Sequence, residues 1–409
     1  MHLVPVNIDS IRLAHPLPFP LMDKDGVLIA KRGYVIPTRG DLEDYAQRNG
    51  GLFINVADSE AHHKAYVERL QNMVRDDKAL GEIARTKLSL SRDVERFTEI
   101  PERLDWLDLQ FQANALSLEV QPEYFADRLQ RLTNQLQRHC RETPDGTLFA
   151  LMYLTASDPR MYSATHGMLV AAMCNLAARE VLRWPDNEID LLCKAALTMN
   201  LGMAQLQDQL AVQKDPPNPH QRKAIDSHAE RSVALLQARG VGSLDWLEVV
   251  RHHHQQVPGP LSNRTLAARM TRLVQRADMF AAKLAPRAAR PPIAPATAMQ
   301  ACYFDEERKV DQAGAALIKA VGVYPPGTFV KLASEEVAVV VRRGANTSMP
   351  KAAVLLNRSG MPTVEHPVRD TSLRDYKVVS SVAFRDVRVH LHLERMWPLT
   401  QGVPSDKPW

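Results

Sequence analysis

Six side chains able to bind a metal or move a proton recur through the middle of the chain. They are His166, His228, the consecutive His252, His253 and His254, and Asp278. Neutral imidazole nitrogens and carboxylate oxygens are ligands for divalent ions, and a bound ion activates water toward phosphate esters. Each residue also has a plainer reading. His166 lies on an apolar run through Met168, Leu169, Ala171, Ala172 and Cys174, where a histidine is ordinarily a hydrogen-bonded core residue. Asp278, within Val274–Phe280, could be structural. Consecutive histidines on one helix point about 100° apart, so at most two of the three can face one site.

Taken in order, these residues and the stretch Leu192–Met203 resemble the HD-GYP family of metal-dependent phosphodiesterases, which hydrolyse the bacterial second messenger cyclic di-GMP. Tyr162 precedes His166 at the family's usual position. His228 matches a His-Pro-x-x-Gly helix start in which Ala229 replaces Pro. His253 and His254 match adjacent histidine ligands, and Gln255 takes the place of Glu. The implied ligand set is His166, His228, His253, His254 and Asp278. The implied cofactor is a divalent metal, Fe or Mn, at reduced occupancy or absent. Arg290, with Pro291, corresponds to a later Arg-Pro near the nucleotide, across a loop of different length. Tyr324–Leu332 matches a Tyr-Pro-x-Gly-Thr-x-Val-x-Leu strand that follows the last helix in many members.

The chain departs from that pattern where the chemistry would be done. Met199 and Asn200 replace the His-Asp pair, and Met203 replaces a phosphate-contacting Lys. Thioether sulfur is a poor ligand for a hard hydrolytic ion. Asparagine offers one neutral oxygen and cannot bridge two cations as an anion. The Gly-Tyr-Pro loop is shortened to Val257–Pro260. Ala195, Ala196, Leu197, Leu201 and Gly202 still match, as expected if the helix is kept for packing. No catalytic set is intact. The favoured reading is a degenerate protein that binds nucleotide or partner with little or no hydrolysis. A reduced-site phosphodiesterase and a structural partner-binding protein without nucleotide are the alternatives.

The elements that must position these residues follow from periodicity. The expected fold is mainly α: an HD-type helical bundle with a small N-terminal α/β unit and a small C-terminal β module. Residues 1–57 read as the α/β unit, with a hairpin around Asp23–Gly26, a helix from Thr38 to Arg48 and a strand at Leu52–Val56. Residues 58–145 read as a helical linker region, with Tyr66, Leu70, Met73 and Val74 at three- and four-residue steps. A homodimer would use this region. Thr143–Gly146 reads as a turn. Residues 146–322 form the family-like helical domain, broken by loops at Pro216–Pro219, Pro258–Pro260 and Pro291–Pro292. Residues 323–409 read as strands, including a half-buried one at Val387–Leu393 with His390 and His392 on its solvent face.

Composition narrows the classes. The chain has 409 residues, 45% of them hydrophobic, enough for a sizeable core. Residues 1–250 hold 28 Lys and Arg against 34 Asp and Glu, whereas 251–409 hold 23 against 13. The dispersed basic excess, without a helix-turn-helix or zinc-finger pattern, argues against nucleic acid as a partner. Cyclic di-GMP or a signalling protein remains. Four scattered cysteines suit a reducing compartment. No signal peptide or membrane span is visible, so a cytoplasmic protein is expected.

Overall fold

The computed structural model describes residues 3–6, 11, 17, 19–24, 26–36, 39–48, 51–55, 106–157, 159–288, 293–383, 386–387, 389 and 391–401. The chain divides into two units, Met1–Leu104 and Asp105–Trp409. The first holds β1 (Leu3–Pro5), β2 (Leu21–Met22), β3 (Leu28–Ala30), α1 (Arg39–Arg48) and β4 (Phe53–Asn55), in an antiparallel sheet of order β1-β4-β2-β3. Phe19, Leu21, Ile36, Leu42, Leu52 and Ile54 form its core. The β2–β3 hairpin follows from Asp23, whose carboxylate accepts from the Val27 amide at 2.8 Å, and from Gly26 at φ 82°. Strand β1 had no signal in the sequence. The spacing of Tyr66, Leu70, Met73 and Val74 falls outside the described residues.

The second unit is mainly helical. Its helices are α2 (Trp106–Leu118), α3 (Pro122–Glu142), α4 (Pro144–Ser157), α5 (Tyr162–Leu176), α6 (Asp186–Thr198), α7 (Ala204–Val212) and α8 (Pro219–Asp226). There follow α9 (His228–Ala238), α10 (Leu244–His252), α11 (Leu266–Leu284), α12 (Pro295–Tyr303), α13 (Gln312–Val321) and α14 (Leu393–Thr400). Helix α5 is the hub. Residues from Thr165 to Leu176 are all buried, and α2, α3, α4, α6 and α11 pack around them. A helix apolar on every side has to be enclosed in this way. It runs on into a π-helical turn, Ala177–Leu182, ended by Arg183 at φ 57°. Among the described residues no helix is long and apolar enough to cross a membrane.

Strands β5 (Phe329–Leu332), β6 (Val337–Arg342), β7 (Lys351–Leu356), β8 (Val368–Asp370) and β9 (Val378–Val382) form an antiparallel sheet, β8-β7-β6-β5-β9. One face, with Phe329, Val339, Val341 and Leu355, packs on Phe149 of α4 and Met396 of α14. Arg343 fixes this sheet to the helices, reaching Asp145 at 2.6 Å and Glu180 of the π-helical turn at 2.7 Å.

Two local expectations are corrected. The described residues of Val387–His392 lie in no strand, and Leu393 opens α14. Val387 and Leu391 are buried and Val389 half-buried, so the alternation is real, but it packs a loop against the sheet instead of pairing with it. His392 is exposed; His390 is outside the described residues. Nor is Thr143–Gly146 a turn, because α4 begins at Pro144. Gly146 is there for close approach: a Cβ would meet the Trp397 ring at 2.8 Å.

Candidate functional site

The ends of two helices bring three histidines together. His228 is the first residue of α9. Helix α10 stops at His252, and His253 and His254 leave it in a turn. Two consecutive side chains can face one point because the helix has ended; His252 does not join them. The Nε2 atoms of His228 and His253 are 3.2 Å apart, as are those of His254 and His228. One ligand atom from each of the three lies within 4.8 Å of the others.

Backbone carbonyls fix the tautomers. His228 Nδ1 bonds the Ile225 carbonyl, and His253 Nδ1 bonds the Val250 carbonyl at 2.7 Å. A carbonyl only accepts, so each Nδ1 carries the proton and each Nε2 presents a lone pair. Burial pushes the His253 pKa down to about 3, helped by the charge of His254, and burial lowers that of His228 as well. Both rings are therefore neutral near pH 7. Two neutral lone pairs at 3.2 Å repel unless a cation or a shared proton sits between them. Ligands about 2.0–2.1 Å from one ion stand roughly 3.0–3.4 Å apart, so this trio has the spacing and charge state to hold one divalent ion.

The other two members of the set pair with each other. His166 Nε2 lies 2.7 Å from Asp278 Oδ1, and Asp278 Oδ2 lies 3.9 Å from His254 Nδ1. Burial raises the Asp278 carboxyl, but the His166 hydrogen bond and the neighbouring histidines outweigh it and hold it well below the usual range. The Tyr162 ring stacks on His166 at 5.5 Å, and Arg287 bonds the Tyr162 hydroxyl at 3.0 Å. His166 Nδ1 is buried and has no hydrogen-bond partner among the described residues.

Met199 is fully buried at the end of α6, anchored through Thr198, whose hydroxyl accepts from the Trp246 indole at 2.9 Å. Asn200 lines a cavity of about 20 Å³ with Asn114, Ser163 and Gly167; its Oδ1 has no partner among the described residues, and none of the three histidines lines that space. The volume admits about one water. Met203 ends the turn Leu201–Met203 and lines a polar cleft of about 530 Å³ with Gln209, His220, Gln221 and Arg231. Arg231 sits one turn past His228 on α9. No motif pointed to it. Its signal was the i, i+3 spacing from His228. Arg290 and Pro291 fall outside the described residues.

Gly202 positions His228. A Cβ there would come within 2.5 Å of the His228 carbonyl oxygen and 2.7 Å of the Ser232 amide nitrogen. Its own N–H donates to Ser232 Oγ at 2.8 Å, and Ser232 Oγ donates to the His228 carbonyl. Gly202→Ala should cost about 1–3 kcal/mol, the range for overpacking, and should weaken metal retention by shifting the start of α9. Urea denaturation and metal analysis check this; unchanged values in both would contradict it.

Helix α5, which carries His166, has no side-chain cap of its own. Asp208 of α7 substitutes, accepting from the Ser163 amide at 2.7 Å. Burial raises the Asp208 pKa to about 6 despite that bond. A raised carboxyl pKa gives stability that is present below its ordinary value and is lost as pH rises through 6. Asp208→Asn keeps an acceptor for Ser163 and removes the buried charge. It should stabilise the protein by about 1 kcal/mol at pH 8, after allowance for solvent screening, and lose that advantage by pH 4. Melting curves at the two pH values measure it; an equal effect at both would contradict the assignment.

No family model matches the chain. Over 250 residues it is 25% identical to the cyclic di-GMP phosphodiesterase PA4108 of Pseudomonas aeruginosa, covering 59% of this chain and 58% of that protein. The chain thus matches well under two thirds of that relative's length. Among solved structures it is similar to Bd1817, an HDG"Y"P protein from Bdellovibrio bacteriovorus. That likeness has a TM-score of 0.41 and 14% identity, over 78% of this chain and 99% of that one. So loose a structural likeness carries no argument. With the match to the Pseudomonas phosphodiesterase, and with His166, His228, His253, His254 and Asp278 in the order that the HD-GYP resemblance implies, the chain is similar to HD-GYP proteins.

Proposed function

We propose that this chain is a degenerate HD-GYP protein that holds one divalent ion, Fe or Mn, on His228, His253 and His254 and binds cyclic di-GMP with little or no hydrolysis. The observation that carries this reading is the commitment of Asp278. Its Oδ1 is bonded to His166 and Asn200 is neutral, so among the described residues no second carboxylate joins the histidines to bridge a metal pair. A bound ion would polarise a phosphoryl oxygen and attract the diester. The polar cleft beside α9 would take the rest of the nucleotide, with the Arg231 guanidinium, itself bonded to the Ala224 carbonyl, turned toward phosphate. Val250 and Ile225 would orient the ligand rings through their carbonyls. In the same reading the chain is a cytoplasmic signalling component, divided at 57, 145 and 322.

The tautomer-fixed trio also favours a second reading, a hydrolase working with one ion. Both readings require His253 more than His166. In protein purified without chelator, His253→Ala should lose most of its metal, whereas His166→Ala should cost no more than about 10–100-fold in affinity, as expected for a residue outside the ligand shell. Elemental analysis decides, and the reverse order would mean that the site is wrongly placed. Cyclic di-GMP binding without turnover supports the first reading; turnover supports the second. A chain with neither metal nor nucleotide binding would leave a structural partner-binding role.

A further inference from the structure

We propose that a second cleft, separate from the histidine cluster, binds a small phosphorylated aromatic molecule, a nucleotide in chemical class. The cleft has a volume of about 390 Å³ and is lined by Val181, Leu182, Trp184, Arg269 and Lys319 together with the first turn of α13. That volume lies in the range of small-molecule sites. Arg269 is nine residues before Asp278 on α11, about 13 Å along the helix and half a turn around it, so the two face opposite sides.

Its chemistry is one-sided. Two cations line the cleft and no carboxylate does. The nearest anion is Glu188, whose carboxylate is 3.9 Å from the Arg269 guanidinium, too long for a hydrogen bond. Lys319, in the last turn of α13, is exposed and has no ion-pair partner among the described residues. The Arg269 guanidinium lies over the Trp184 ring, 5.5 Å from its centroid, and its buried Nε–H has no acceptor among the described residues. An unsatisfied buried donor on a cation is costly, and a phosphate oxygen is its natural complement. The remaining wall is apolar, from Val181, Leu182, Leu261, Ala315 and Ala316. A bare phosphate would leave that wall uncovered; a base would cover it. Gln312 holds the Leu261 amide through Oε1 at 2.8 Å, which leaves its NH2 group for a base edge.

The π-helical turn supplies Val181 and Leu182 to the cleft wall. It carries Val181 and Leu182 out of the α5 register, and such turns often accompany ligand sites.

The test is calorimetric titration of the full chain with guanosine 5′-monophosphate and adenosine 5′-monophosphate, with inorganic phosphate and the free nucleosides as comparisons. At least one nucleotide should saturate in the micromolar to low millimolar range. Phosphate and nucleosides should bind at least about tenfold more weakly. Arg269→Met and Lys319→Met should each raise Kd at least about tenfold, and His253→Ala should leave it unchanged. Lys319 is exposed, so its variant keeps the test valid if Arg269→Met does not fold. No saturation by either nucleotide overturns the proposal. So does phosphate binding as tightly as nucleotide, or binding lost in His253→Ala and kept in Lys319→Met. Because His253→Ala is read separately, failure here is distinct from failure of the histidine site.

Discussion

Arg272→Leu should destabilise the unit Asp105–Trp409 by about 3–5 kcal/mol, the range for removing one partner of a buried ion pair. The Arg272 side chain is 1% exposed on α11. Its guanidinium reaches Asp311 at 2.7 Å, Glu306 at 2.8 and 3.0 Å, and Gln275 at 2.7 Å. Asp311 does a second job. It caps α13, accepting from the Gly314 amide at 2.7 Å. Removal of Arg272 leaves that buried carboxylate with Arg276, at 3.4 Å, as its remaining ion-pair partner among the described residues. The change therefore strikes α11, which carries Asp278, and the start of α13 together. The Arg272 bond also lowers the Glu306 pKa. A depressed carboxyl contributes stability above its ordinary value, 4.5, and loses it as pH falls below that. The variant should accordingly show a weaker acid transition near pH 4. Urea titration of the full chain measures the loss; a change under about 1 kcal/mol would mean that the network is dispensable.

The candidate residues could be picked out from residue type and order. His166 stands on an apolar helix, and His228, His253 and His254, which the sequence singles out, lie together in the fold. What could not be read was helix termination. The convergence of His253 and His254 depends on α10 stopping at His252, which no proline or glycine marks until Pro258. Nor could pairing be read. That Asp278 turns to His166 is a tertiary fact, and so is the separate cavity lined by Asn200. In the C-terminal sheet, β6 is rich in valine and β5 and β7 are short, mostly apolar runs, so all three were legible. Strand β8 is three residues long, and β9 contains Ser380 and Ser381; edge strands need little apolar surface to pair, so neither gave a signal. Val387–Leu393 had the pattern without the partner. Local alternation reports burial, while strand formation also needs a free edge.

Hydrolysis of cyclic di-GMP should be at least about a thousandfold below that of a two-metal site, since charge stabilisation by a metal is worth several kcal/mol of the barrier. Three deficits act together: Met199 gives no hard ligand, Asn200 no anion, and Met203 no positive charge toward phosphate. Met199→His combined with Asn200→Asp supplies a nitrogen ligand and a carboxylate at the end of α6, and a rise in metal retention would show that this end reaches the histidine trio despite the separate cavity that Asn200 lines. Turnover should stay low, because Met203 and the shortened Val257–Pro260 loop are unchanged. The direct measurement is turnover and binding of cyclic di-GMP in one sample of the full chain, purified without chelator and supplied with Mn(II) or Fe(II). The expected result is saturable binding that requires His253, with no product above the uncatalysed background. Robust turnover by the unmodified chain, abolished by His253→Ala, would contradict the account and establish a hydrolase.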